Sequence, residues 1–211
     1  YKTVFFTLGI LQIILGLSMI VPILAQFFYD QIDSGFISSG VVTIIFGVLF
    51  FLSNLDHDKK LSLPQAFLLT ALSWLSIAIF GSLPFIFSNI ELSITDAFFE
   101  SMSGITTTGS TIITNLNETP KAILLWRAML QWLGGIGIIV MAITLMPIMN
   151  IGGMQLFMIS TSNTPEKILP KSKEISIRLI LVYLTLTVAC AIFYKIFGMG
   201  FFDSIVHSMT T

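Results

Sequence analysis

Apolar residues fall into five long runs rather than into alternating positions or narrow stripes. The runs are roughly Val4–Phe28, Phe36–Leu52, Pro64–Phe87, Ala122–Met149 and Ile175–Phe197. Each approaches the ~20 residues a helix needs to cross a bilayer; the second is short but uncharged. Pro22 lies near the outer end of the first run, and Gly81 and Pro84 lie late in the third. Only helices or closed barrels satisfy their backbone groups in lipid. Unbroken runs without alternation favour helices over barrel strands. The pattern predicts an all-α integral membrane fold.

A sixth apolar stretch, Ile94–Ile105, is too short to span. Runs of about 10–14 such residues often mark re-entrant segments. Ser93 precedes Asp96 by three, a capping-box-like start, and Asp96 and Glu100 suit the positive end of a helix. Gly104 is the expected stop. The string Thr106, Thr107, Thr108, Gly109, Ser110, Thr111 follows, and then Asn115, Asn117, Glu118 and Pro120 read as exposed loop. The unit recurs. Asp96–Ser103 reads DAFFESMS and Asp203–Thr210 reads DSIVHSMT, 107 positions apart, and each copy follows an apolar span. Both short helices enter from the same side, so the repeats are parallel, a common way to build transport proteins. Thr211 aligns with Gly104, so a second string would begin just beyond it.

Composition changes the picture in one respect. Of 211 residues, 55% are hydrophobic and only 10% charged, against about 25% charged in soluble domains. Most of the exterior must therefore face lipid. A net charge of −1 argues against a nucleic-acid partner. Cys190, the single cysteine, excludes an internal disulfide and is expected to be a small buried residue. No small-residue cleavage site follows the first run, so no signal peptide is expected. The chain begins at Tyr1 rather than a methionine, and both ends read as trimmed. Threading five spans puts Lys2, Lys59, Lys60, Lys167, Lys171, Lys173 and Arg178 on one side and only Lys121, Arg127 and Lys195 toward the other. The latter side also carries Asp30, Asp33, Glu91, Asp96, Glu118 and Asp203. The bias predicts a cytoplasmic N-terminus, an external loop from Asn89 to Lys121 and an internal loop from Asn150 to Lys173.

A cation filter replaces an ion's water with backbone carbonyls. Glycine permits the backbone angles this needs, and threonine hydroxyls add ligands or brace the loop. A short helix ending just before the string aims its partial negative end at the ion. Thr-Thr-Thr-Gly alone is a weak signal, since such strings occur in ordinary loops; the short helix and the repeat strengthen it. Arg127, near the outer start of the fourth span, is expected to snorkel or to pair with a carboxylate such as Glu100 rather than to gate ions. Asp56-His57-Asp58 lacks the further ligands a metal site needs. His207 stands at the place of Glu100 in the second copy and reads as structural. Gly9, Gly16, Gly134, Gly135 and Gly137 fit close helix packing. Trp74, Trp126 and Trp132 fit interface or packing roles. Two other classes stand beside a cation pore. A non-conducting accessory subunit would share the membrane fold. An intramembrane hydrolase could draw on Ser101, Ser103, His57 and His207, but no GxSxG-type elbow or paired intramembrane aspartates support it, and His57 is expected on the opposite face from the serines.

The stretch DAFFESMSGITTTGS, Asp96–Ser110, resembles the first pore helix and filter of the TrkH/KtrB potassium transporters. Pro120–Gly153 continues the likeness through a Trp-Arg pair and a Gln-Trp-Leu-Gly-Gly-x-Gly-Ile run, and Gly-Gly-Met-Gln-Leu closes it at Leu156. A weaker likeness runs from the first span to Thr211. The resemblance implies four span–pore helix–span repeats around one pore, preceded in the TrkH type by two leading helices. On that template 1–60 is the leading pair, 61–153 the first repeat, 154–174 a cytoplasmic loop and 175–211 the start of the second repeat. The second, third and fourth filters and a gating loop of the third repeat lie outside this sequence. The resemblance makes Thr107, Thr108 and Gly109 the expected backbone ion contacts, with Thr106 and Ser110 flanking and Glu100 and Arg127 structural near the pore. It implies K⁺ as the transported ion with no bound cofactor and no enzymatic role. It also implies a multi-pass place in the cell (inner or plasma) membrane, assembly as a homodimer, and a cytoplasmic nucleotide-binding regulator of the TrkA/KtrA kind. The inner loops Asp56–Lys60 and Thr161–Lys173 are where such a regulator is expected to touch.

Overall fold

The structure is a computed structural model that describes residues 1–56, 62–90, 92–116, 118–149 and 168–211. The helices are α1 (Lys2–Ser18), α2 (Ile20–Phe28), α3 (Gly35–Ser53), α4 (Leu63–Gly81), α5 (Leu83–Phe87), α6 (Ile94–Ile105), α7 (Lys121–Met149), α8 (Ile168–Ile196) and α9 (Phe201–Thr210). No strand occurs among the described residues. Among the described residues five helical stretches are long and apolar enough to cross a membrane: Lys2–Phe28, Gly35–Ser53, Pro64–Phe87, Lys121–Ile139 and Glu174–Ile196. They coincide with the five sequence runs, and α7 itself runs on to Met149.

Two of the spans are broken, and prolines explain both breaks. Pro22 has no N–H for the Ser18 carbonyl, so the first span is interrupted at Met19 and restarts as α2. Pro84 likewise withholds a donor from Phe80. There α4 ends, and α5 begins with Phe85 N–H donating to the Ser82 carbonyl at 3.0 Å. The Gly81 carbonyl at this break accepts the indole N–H of the fully buried Trp126 at 2.9 Å. A carbonyl orphaned in an apolar interior would cost about 1–3 kcal/mol.

The chain forms two compact units, essentially Tyr1–Gly134 and Gly135–Met209. In the first, α1 packs on α3 through small residues. A Cβ on Gly9 would sit 2.7 Å from the Gly47 carbonyl, and one on Gly16 would sit 3.2 Å from the Gly40 carbonyl. Backbones meet here as small-residue packing in membranes allows. Gln12, fully buried on α1, donates its amide to the Ser76 hydroxyl of α4. Hydroxyls within the spans fold back on their own helix, as Ser39 does to the Gly35 carbonyl and Thr43 to that of Ser39. The loop between α2 and α3 fixes the elements around the short helix. Asp33 accepts from the N–H groups of Gly35 and Asn89, and the Gln31 side chain accepts from the Lys121 N–H that opens α7.

The second unit holds the end of α7, α8 and α9. A Cβ on Gly135 would lie 2.6 Å from the Tyr183 hydroxyl, so this glycine also serves packing, whereas a Cβ on Gly137 would meet nothing within 4 Å among the described residues. The span in α8 leaves its side chains largely uncovered, Leu186 at 63%. For the same reason Cys190, expected to be buried, is only half-buried. α8 ends at Ile196, and Gly198, with a φ of +97°, turns the chain toward α9. The Tyr194 ring meets that of His207 edge-on at 6.4 Å, and its hydroxyl lies 3.1 Å from that of Thr211.

Candidate functional site

The short helix α6 carries the chemistry. Ser93 caps it, its hydroxyl accepting from Asp96 N–H at 3.1 Å, and Asp96 sits in the first turn. Twelve residues give a helix of about 18 Å, well short of a ~30 Å hydrocarbon core. Ala97, Glu100, Ser101, Ser103, Gly104 and Ile105 are buried.

Its C-terminus departs from expectation. Gly104 lies inside the last turn, where a Cβ would come within 3.0 Å of Leu130, so its role is close packing. The helix ends one residue later in a Schellman cap. Thr107 N–H donates to the Gly104 carbonyl at 2.8 Å and Thr108 N–H to that of Ser103 at 3.0 Å. The left-handed position that usually takes glycine is held by Thr107 at φ +58°. A branched residue there costs about 1–2 kcal/mol. The Thr106 hydroxyl donates to the Met102 carbonyl at 2.7 Å and lies 2.9 Å from that of Thr108.

From Thr107 to Leu116 most of the chain is exposed, but it is anchored from behind. Glu100 is 0% exposed, and both its carboxylate oxygens are used. Oε1 accepts from the Thr111 hydroxyl and the Ile112 N–H, each at 2.6 Å, and Oε2 accepts from Arg127 Nε at 2.8 Å. The pairing expected between Arg127 and Glu100 is thus present, with the arginine 16% exposed. Arg127 also donates from Nη2 to the Gly109 carbonyl at 3.2 Å, and the Ser103 hydroxyl donates to the Ser110 carbonyl at 2.6 Å. Gly109 has φ +77°, and Gln131 Nε2 would lie 2.9 Å from a Cβ there. One turn further along α7, Gly134 lets the helix meet the Ile105 carbonyl directly.

Thr106, Thr107, Thr108, Gly109 and Ser110 therefore form one continuous string backed by Glu100 and Arg127. Its carbonyls divide in two. Those of Gly109 and Ser110 accept protein donors, while those of Thr106, Thr107 and Thr108 accept none among the described residues. Sequence named Ser103 only as a candidate hydrolase serine and Thr111 only as the end of the string, and it did not single out Gln131, although Gln131 stands four residues after Arg127 on the same helical face. The serines of the hydrolase reading do not assemble a nucleophile. Ser103 donates to a carbonyl rather than to a base, and the buried Ser101 hydroxyl has no hydrogen-bond partner among the described residues. Residues 57 and 58 of the Asp56-His57-Asp58 triplet lie outside the described residues, as do 57–60 of the first inner loop expected to meet a regulator and 161–167 of the second, whose residues 168–173 belong to α8.

Comparison with known proteins places this geometry. The family model described as TrkH, cation transport protein, matches residues 32–211. The Trk system potassium uptake protein TrkH of Vibrio parahaemolyticus is 38% identical over 215 residues, covering 100% of this chain and 44% of that protein. The protein of the same name from Escherichia coli is 41% identical over 207 residues, covering 96% of this chain and 43% of that one. The crystal structure of the potassium transporter TrkH from Vibrio parahaemolyticus superposes with a TM-score of 0.85 at 38% identity, over 99% of this chain and 42% of that one. The chain spans less than half the length of these relatives.

Proposed function

The chain belongs to the TrkH family of cation transport proteins, and from that premise we propose that it is part of the pore-forming subunit of a potassium uptake system. It is a multi-pass membrane protein with five candidate spans. The observation that carries the proposal is the end of α6, where a helix of about 18 Å stops in a largely exposed string whose Thr106, Thr107 and Thr108 carbonyls accept no hydrogen bond among the described residues. Carbonyls presented at the negative end of a helix suit a dehydrated monovalent cation. Thr106–Ser110 supply one strand of the ion site, K⁺ is the transported ion, and Glu100 and Arg127 hold the strand in shape. No step of covalent catalysis is assigned.

On the same reading the protein lies in the cell membrane with a cytoplasmic N-terminus, works as a homodimer and docks a nucleotide-binding regulator of the TrkA/KtrA kind on its inner loops. The relatives' names, which describe Trk system potassium uptake proteins, support the ion. Growth at limiting potassium tests it. Cells lacking their own potassium uptake should grow when given the full-length protein and should fail with Gly109→Asp, which forces a side chain onto the Gln131 amide at a positive φ. Expressed, membrane-inserted protein that does not restore growth would contradict the proposal. A pull-down of the regulator that survives replacement of both inner loops would contradict the docking assignment.

A further inference from the structure

The loop between α2 and α3 is fixed at its start. Gln31 N–H donates to the Gln26 carbonyl at 3.0 Å, closing the end of α2, and Asp30 takes a left-handed φ of +52°, which aspartate adopts more readily than most residues. From this loop two side chains reach far along the sequence. Gln31 Oε1 accepts from Lys121 N–H at 3.0 Å. Asp33 Oδ2 accepts from Asn89 N–H at 3.3 Å, while its Oδ1 accepts from Gly35 N–H at 3.0 Å. Lys121 opens α7, where the first N–H groups lack a partner within the helix, and Asn89 lies just past the end of α5. Residues 89 and 121 are the two ends of the connection that carries α6 and the string. One loop outside that connection therefore holds both of its ends.

The start of α3 is seated on the same segments. A Cβ on Gly35 would sit 2.8 Å from the backbone of Phe87 and Ser88, so α3 meets the chain leaving α5 with no side chain between them. Phe36, fully buried, sets its ring edge-on to that of Trp126 at 6.2 Å. Trp126 is the neighbour of Arg127, which holds Glu100. We propose that Gln31 and Asp33 are positioning residues for the string: footed on Gly35 and Phe36, they pin Asn89 and Lys121 and so fix where α6 presents it. The functional half of the proposal rests on the reading of the string as an ion site. Neither side chain belongs to the string; both act through the backbone at the ends of its connection. A lesser role, capping α3, needs only the bond from Gly35 N–H to Asp33, so the two roles separate by experiment.

Gln31→Met keeps the length of the side chain and removes the acceptor, whereas Gln31→Glu retains one. Asp33→Asn leaves a single acceptor oxygen, enough for Gly35 N–H, and gives up the second, on Asn89. Amide hydrogen exchange is read by mass spectrometry on the full-length protein in nanodiscs. In Gln31→Met combined with Asp33→Asn, exchange over residues 107–113 should quicken about fivefold, the scale of one net hydrogen bond, and α1 should not change. Gln31→Glu should exchange as the unaltered protein does. Faster exchange confined to residues 34–38 overturns the proposal, because Asp33 is then only a cap. In liposomes, the rubidium concentration that gives half-maximal uptake should rise by a similar factor in the combined variant and stay at the unaltered value in Gln31→Glu. A lower maximal rate at unchanged half-saturation reflects loss of folded protein and overturns the positioning role. Unaltered protein that passes no cation overturns the potassium reading instead, and exchange over residues 107–113 then decides the pinning by itself.

Discussion

Asp96–Ser103 and Asp203–Thr210 carry the same register of aspartate, Ser-Met pair and closing hydroxyl, and each buries the same two positions of its helix. Ala97 and Ser101 are buried in α6, and Ser204 and Ser208 are buried in α9. The two helices diverge at two matching positions, since Ser103 is buried where Thr210 is exposed, and the residue before the Ser-Met pair differs as well. Glu100 is fully buried and holds Thr111, Ile112 and Arg127, whereas His207 is exposed and meets the edge of Tyr194. Residues common to both copies set the helix and its packed face. The exchange of Glu100 for His207 sets what the chain beyond the helix can be tied to.

Exchanging residues between the copies probes that division. The largest effect should come from Glu100→His, which leaves Arg127 without its carboxylate and removes three acceptor contacts. It should cost about 3–5 kcal/mol, read as a fall in the unfolding midpoint of the full-length protein in detergent. The reverse exchange, His207→Glu, should shift the same midpoint by no more than about 0.5 kcal/mol. Equal losses from the two would erase the distinction drawn here.

A smaller pair of exchanges concerns the left-handed turns. α8 ends in the same Schellman geometry as α6, Met199 N–H to the Tyr194 carbonyl and Gly198 N–H to that of Lys195, but with glycine at the positive φ. Gly198→Thr should destabilise by about 1–2 kcal/mol, and Thr107→Gly should stabilise by about 1 kcal/mol. If the Thr107 hydroxyl and rigidity serve the ion site, the stabilised variant should transport less selectively, which rubidium uptake against sodium would show. The smallest effects belong to the N-caps. Ser93→Gly should cost, and Gly200→Ser should add, roughly a few tenths of a kcal/mol, measurable only as a double-variant comparison of midpoints.

Much of this was legible in sequence. Ile94–Ile105 was bounded correctly, because an apolar run that begins after Ser93 and meets a hydroxyl string has few ways to fold. Arg127 and Glu100 were matched because two opposite charges in an apolar protein must find each other. The cap was not legible. Gly104 resembles a helix stop, but packing against Leu130 claims it, and Thr107 takes the left-handed angle at a cost that only the surrounding hydrogen bonds can offset. The inward turn of the Gly109 carbonyl was equally hidden, since it depends on where α7 places the second donor of Arg127. Cys190 was misjudged because an apolar run reports an environment of lipid or protein alike. The break at Met19 depends on the donor that Pro22 withholds from Ser18, and the capture of the Gly81 carbonyl depends on where α7 places the Trp126 indole; the pattern of apolar residues records neither.

The central claim is that the string after α6 selects potassium. Flux of potassium and rubidium into liposomes carrying the full-length protein, with sodium as competitor and Gly109→Asp as control, tests it most directly. Uptake that prefers potassium and rubidium over sodium, and is lost or made unselective by Gly109→Asp, is the predicted result. Folded protein that passes no cation, or flux indifferent to Gly109→Asp, would contradict the assignment of Thr106–Ser110 as an ion site.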